Sequence, residues 1–241
     1  MLKNQSELKQ AAHELRKATK PLDRLILDHA VIGEAFAGRN KERSSLRIID
    51  EYTGACLSYP STVRDHFSVS KACLHFAGRD AANFIVRVGS DRAGEIARAV
   101  KDFGWLREQS APNTTQHNPV AERGIRTSKE GASANLEQSG FEHKDWPSAQ
   151  EHHDTVRNFT ELAPCIGEGG PRDGVTKYEA IAGVPFEGHI FAYGSLCWCK
   201  PDPKTIGPFA PKTLPGLFLG WELQPGFKWK GIYKVADYEA Y

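Results

Sequence analysis

The 241 residues carry almost no net charge: Lys and Arg total 31 against 30 for Asp and Glu, a formal +1. Any surface for a polyanion must therefore be local, because the summed charge attracts neither sign at long range. Cysteine is scarce and poorly spaced for cross-linking. Cys56, Cys73, Cys165, Cys197 and Cys199 form no pair of CxxC knuckles and have no His-x-His partner. That spacing argues against both a disulfide framework and a structural zinc finger. Cys197 and Cys199 fall in an apolar run and read as two core thiols on one strand face. Long hydrophobic runs are missing too, so no window reaches bilayer-spanning length. The opening stretch, MLKNQSELKQAAHELRKATK, sets Leu8, Ala11, Ala12 and Leu15 at helical spacing without the apolar centre of a signal peptide. Residues 1–20 are expected to form a basic amphipathic helix or linker, and the protein is expected to be soluble and intracellular.

What is present suffices for a core, since 40% of the residues are hydrophobic. Pro21 breaks the first helical pattern, and 22–32 reads as a strand running through Leu25, Ile26 and Leu27 into Asp28. A polar loop over 33–45 precedes two short strands, 46–49 and 55–59, with a hairpin signal between them. Helical spacing follows over 61–76 through Val63, Phe67, Ser70 and Leu74. The apolar run 84–88 predicts a strand covered on both faces, ending at Ser90-Asp91. A short helix (93–103), a brief strand (105–108), a loop (112–119), a long helix (120–139) and a further helix (146–160) complete a mixed α/β order. From about 184, short apolar stretches separated by Pro and Gly predict a small β-rich module. The expected organisation is an α/β core over 21–175 and a β-rich module over 176–241.

Three acids stand where these patterns meet turns: Asp28, Asp91 and Glu122. An acid on a central strand is expensive unless water or a cation neutralises it. Three from separate elements can converge at the open end of a sheet, where two hard cations about 3.5–4 Å apart would activate one oxygen and stabilise another. The plain alternative makes Asp28 and Asp91 turn formers and Glu122 a first-turn acid favoured by the helix dipole. Asp50, which also ends an apolar run, rivals Asp28 as the first acid.

The stretch SAPNTTQHNPVAERGIRT (110–127) closely resembles S-x-P-x-x-P-Q-x-N-G-V-A-E-R of copia-type retrotransposon integrases. Val88-Gly89-Ser90-Asp91 with Gly94 and Glu95 looks like that family's strand-end motif, and IIDEYTGACLSYP like its second and third strands. Downstream, TKYEAIAGVPF, FAYGSLCWCKPDPK and KTLPGLFLGW resemble the T-P-Y-E-x-x-x-G-x-P segment and the β-rich region that follow. The resemblance covers nearly all of 21–241, with five motifs in order. It implies a ribonuclease-H-like mixed sheet flanked by helices, two Mg²⁺ or Mn²⁺ ions, and DNA 3′-end joining with Asp28, Asp91 and Glu122 as catalytic metal ligands. DNA (element ends and target), a homo-oligomer and the nucleus are implied with it. Asp50 falls in the hairpin motif I-D-x-Y-T, which favours Asp28 as the first acid.

The departures are specific. Arg92 sets a bulky cation beside the second acid, Thr115 replaces a Pro, Pro119 replaces the Gly before VAER, and only thirty residues separate Asp91 from Glu122. An upstream His/Cys zinc module is absent from these residues, so the chain reads as a fragment or a gene derived from an element. A catalytically silent DNA-binding or assembly module is the alternative function, and a ribonuclease acting on RNA or hybrids a third.

For DNA, Arg126 and Lys129 lie four and seven residues beyond Glu122 on one helix face, as a phosphate clamp requires. Six Lys lie over 200–234 among Phe209, Phe218, Trp221, Phe227, Trp229 and Tyr233. Lys228, Trp229 and Lys230 are the exposed candidates for backbone and base contact. His152 and His153 are expected at the surface.

Overall fold

The computed structural model describes residues 17–80, 85, 87–109, 119–164, 174–200, 209 and 211–239. The expected N-terminal helix falls almost wholly on 1–16, and Thr115 and most of the 112–119 loop on 110–118, outside the described residues.

Five strands form the main sheet: β1 (Arg24–Val31), β2 (Ser44–Asp50), β3 (Cys56–Ser61), β4 (Arg87–Ser90) and β5 (Leu106–Gln109), in the order β3-β2-β1-β4-β5. The pairs β1–β2 and β2–β3 are antiparallel, while β1–β4 and β4–β5 are parallel. Two antiparallel hairpin partners followed by two parallel crossovers is the ribonuclease-H-like sheet. Strand β1 is central and covered on both faces, which is why Leu25, Ile26 and Leu27 are all buried.

Among the described residues the α-helices are α1 (His66–Ala77), α2 (Gly94–Asp102), α3 (Pro119–Ser139), α4 (Trp146–Thr160) and α5 (Lys177–Ala182). Helix α1 begins five residues later than the spacing from 61 predicts. Strand β3 runs to Ser61, and Asp65 starts the helix by accepting from the Ser68 N–H at 2.8 Å. Val63 and Phe67, taken as periodic core positions, are 52% and 72% exposed. Alternation along β1 sends Leu25 and Leu27 into a cluster with Val69, Phe76, Ile96 and Val100 of α1 and α2. Ile26 points the other way and joins Ile49, Cys56 and Ala121 of α3.

That second face is held by polar ties rather than apolar area. Asn158 of α4 accepts from the Cys56 N–H (3.0 Å) and donates to the Cys56 carbonyl (2.7 Å). Arg47, on β2, forms a buried ion pair with Asp154 of α4 (2.8 Å) and donates to Ser58 Oγ. Ser128 of α3 donates to the same aspartate. Helices α3 and α4 pack closely because Gly131 leaves room for the His153 ring, which any Cβ would strike.

The remaining strands, β6 (Leu196–Cys199), β7 (Leu214–Gln224) and β8 (Lys228–Asp237), make a three-stranded antiparallel sheet. Cys197 and Cys199 share one half-buried face of β6, as alternation predicts. Phe218, Trp221, Leu223 and Phe227 enter the same buried cluster as Leu25 and Ile48 of the main sheet. Phe227 meets Phe76 edge to face at 5.0 Å. The turn carrying it lies so close to the end of α1 that a Cβ on Gly78 would sit 3.3 Å from Gly226 Cα. His152 is buried, not superficial: its Nε2 pairs with the Phe191 carbonyl at 3.0 Å and its ring packs against Tyr193, Phe218 and Trp221. Helical spacing put it on α4, but the small sheet closing over that face is a long-range event.

Candidate metal centre

Parallel pairing of β1 and β4 aligns Leu27 with Ser90. Asp28 and Asp91 follow that last pair, Asp91 just past the end of β4, and the Asp91 charge acts on Asp28. Asp28 lies two residues beyond Ile26 and therefore on the α3 face. Ala121 packs against Ile26 on that face, and Glu122 follows it in the first turn of α3. Register, alternation and helix docking thus put the Asp91 and Glu122 charges within reach of Asp28 on one face of the sheet.

Their electrostatics agree. Burial, the neighbouring Asp91 carboxylate and, more weakly, that of Glu122 push the Asp28 carboxyl up to about 6, against the His29 backbone N–H that favours its ionised form. Asp91 also accepts from the Ala93 N–H at 3.0 Å, so it serves as a turn former as well. Glu122 is exposed. Among the described residues, no three His, Cys, Asp or Glu side chains stand close enough as placed to hold a metal ion. The three acids therefore share a face of the sheet without forming a closed coordination shell.

The cations nearby are directed elsewhere. Arg47 is the register partner of Asp28 across β2, yet its guanidinium turns to Asp154, Ser58 and Cys56. Arg107 donates to the backbone carbonyl of Asp91 rather than to its carboxylate, and to Ser90 Oγ. Arg92 is exposed. Carboxylate oxygens alone as donors, with the Arg47 and Arg107 guanidinium groups engaged elsewhere, are the donor chemistry of hard divalent cations such as Mg²⁺ or Mn²⁺.

Asp50 is placed differently. It pairs with Leu25 on the opposite face, is fully buried, and accepts from the N–H groups of Leu22 and Thr53 and from the Thr53 hydroxyl. These bonds make it the organiser of the β2–β3 turn.

Arg126 and Lys129 are both exposed on α3, beyond Glu122. Lys228 and Lys230 are exposed at the start of β8, but Trp229 is only half-buried between Phe186 (4.9 Å) and Tyr233 (5.6 Å), donating from Nε1 to the Ile232 carbonyl. The small sheet uses that indole for its own packing, so it is not the free stacking surface its sequence context suggests. Sequence reasoning missed the Arg47–Asp154 pair. An Arg flanked by Leu46 and Ile48 was its signal, though alternation alone would place that Arg toward solvent.

Among solved structures, the chain is similar to the catalytic core domain of BIV integrase, at 17% identity and a TM-score of 0.42, covering 65% of this chain and 91% of that one. No family model and no curated protein matches it. Among the described residues, no helix is long and apolar enough to cross a membrane.

Proposed function

We propose that the chain is the catalytic core of a retrotransposon-type integrase, a metal-dependent polynucleotidyl transferase that joins DNA 3′ ends to a target strand. The observation that carries this reading is that Asp28 and Asp91 each directly follow the last β1–β4 pair, Leu27 and Ser90, with the charges of Asp91 and Glu122 both felt at Asp28. The motif order around those acids, from the strand-end Val-Gly-Ser-Asp to Val-Ala-Glu-Arg, supports it.

In this reading Asp28, Asp91 and Glu122 hold two Mg²⁺ or Mn²⁺ ions. When bound, such ions lower the pKa of an attacking hydroxyl and neutralise charge on the phosphate and leaving oxygen. The DNA 3′-hydroxyl attacks a target phosphorus in line; a new P–O bond forms, the P–O3′ bond of the target breaks, and the departing 3′ oxygen takes a proton. The side chains serve by position and charge, and none becomes a covalent nucleophile. Arg126 and Lys129 would draw the phosphodiester along α3, with Lys228 and Lys230 as more distant backbone contacts. Paired DNA ends call for more than one copy of the chain, and the nucleus is the compartment that this substrate requires.

The test is strand transfer with an oligonucleotide bearing a recessed 3′ end, in Mn²⁺. Joined product from wild type, and none from Asp91→Asn, is expected. Absence of product from folded wild type would move the assignment to the silent DNA-binding module.

A further inference from the structure

A cavity of about 460 Å³ lies beyond the acids, between β1 and α3. Ala30 and Ile32, two and four residues past Asp28, line it, which places it roughly 7–13 Å along the strand. Lys129, seven residues past Glu122, lines the helix side, about 10 Å along α3. Stacked nucleotides rise about 3.4 Å each along one strand. The cavity therefore lies two to four nucleotides from a phosphate held at the acids.

Its chemistry is that of a base pocket. Apolar Leu136 and Trp146 contribute to the lining. Gln150 is only 4% exposed; its Oε1 accepts from the Ser45 hydroxyl at 2.8 Å, and its amide nitrogen has no acceptor among the described residues. A buried carboxamide with one free end, set in an apolar wall, suits the polar edge of a nucleobase. Phe36, on the turn after β1, is 74% exposed and also lines the cavity; its carbonyl accepts from Trp146 Nε1. An exposed ring beside such a wall is a stacking platform. Lys129 forms no ion pair with a described carboxylate, which leaves it available for a phosphate, whereas Lys144 on the same lining pairs with Glu142. The volume admits one base, and a base inside a duplex stack cannot enter without leaving it.

We propose that this cavity binds the base of an unpaired nucleotide in the DNA end, stacked by Phe36, read by Gln150 and anchored through its phosphate by Lys129. The proposal rests on the integrase reading above, but its test does not require catalysis. Binding would be measured by fluorescence anisotropy in Ca²⁺, comparing a blunt duplex with one carrying a three-nucleotide unpaired end that contains 2-aminopurine. Wild type should prefer the unpaired end about tenfold, with quenching of the 2-aminopurine. Phe36→Ala removes the platform, and Ser133→Trp fills the cavity from an exposed position of α3. Each should erase the preference and the quenching while blunt-duplex affinity and melting temperature stay as in wild type. Equal wild-type affinity for both ends, or a preference that survives both substitutions, overturns the pocket and leaves the joining assay to judge the function. If wild type binds neither DNA, pocket and integrase reading fall together.

Discussion

Two groups of charges lie side by side on the α3 face of the sheet, and they are balanced in opposite ways. Arg47 and Asp154 are almost fully buried and pair with each other, and Ser58, Cys56 and Ser128 add contacts that, among the described residues, leave only Arg47 Nε unpartnered on that guanidinium. Directly opposite Arg47 in the β1–β2 register, Asp28 feels the charges of Asp91 and Glu122, while the Arg47 guanidinium is turned to Asp154. A charge pair closed on itself serves the packing of α3 and α4 onto the sheet. A set of like charges left open stores repulsion that a ligand of opposite sign can relieve. The difference separates structural acids from functional ones more sharply than residue type or exposure does.

The largest effect should come from breaking the balanced pair. Asp154→Ala leaves the Arg47 guanidinium buried and uncompensated and should destabilise the fold by about 3–5 kcal/mol in urea denaturation. A loss below about 1 kcal/mol would mean that the pair does not organise this face. Next, Mg²⁺ or Mn²⁺ at about a hundred times its dissociation constant should stabilise wild type by about 2.7 kcal/mol. That corresponds to a melting-temperature rise of roughly 5–10 °C for a chain of this size. Asp91→Asn should show almost none of that rise.

Removing the buried, repelled charge of Asp28 without metal should have a smaller effect of opposite sign to an ordinary core substitution. Asp28 has its carboxyl raised from 3.8 to about 6, so the folded state holds this proton more tightly than the unfolded chain does. The associated stability is fully present below about pH 4 and is lost as pH rises through about 6. Asp28→Asn should abolish that loss and, at pH 7 in chelator, be more stable than wild type by about 1–2 kcal/mol after allowance for solvent screening. A thermal melt series from pH 4 to 7 in which the two proteins run parallel would contradict it. The smallest effect belongs to the exposed cation: Arg126→Ala should reduce the slope of log affinity against log salt by about 0.9 on duplex DNA, with the fold untouched.

The elements near the acids were legible because local and global signals agreed there. The continuous apolar run of β1, the Pro-Val-Ala-Glu start of α3 and the strand-end Asp91 each had a pattern of their own. Register could not be read, and register is what makes Asp28 and Asp91 neighbours. The sequence also could not tell which acids would find partners: Asp50 and Asp28 both end or follow apolar runs, yet Asp50 closes a turn through Leu22 and Thr53 while Asp28 stays open. His152 and Trp229 were misjudged for one shared reason. Both are covered by contacts of the small sheet made far away along the chain, which helical spacing and strand alternation do not encode. The Phe36 rim was passed over because its loop is polar, although a lone aromatic in such a loop is itself a signal.

The central claim is that the open acids form a divalent-cation site, and Mn²⁺ uptake followed by electron paramagnetic resonance tests it most directly. Wild type should deplete the signal of free Mn²⁺, and the double variant Asp28→Asn/Asp91→Asn should bind at least about tenfold more weakly. Equal uptake by the two proteins would contradict the account.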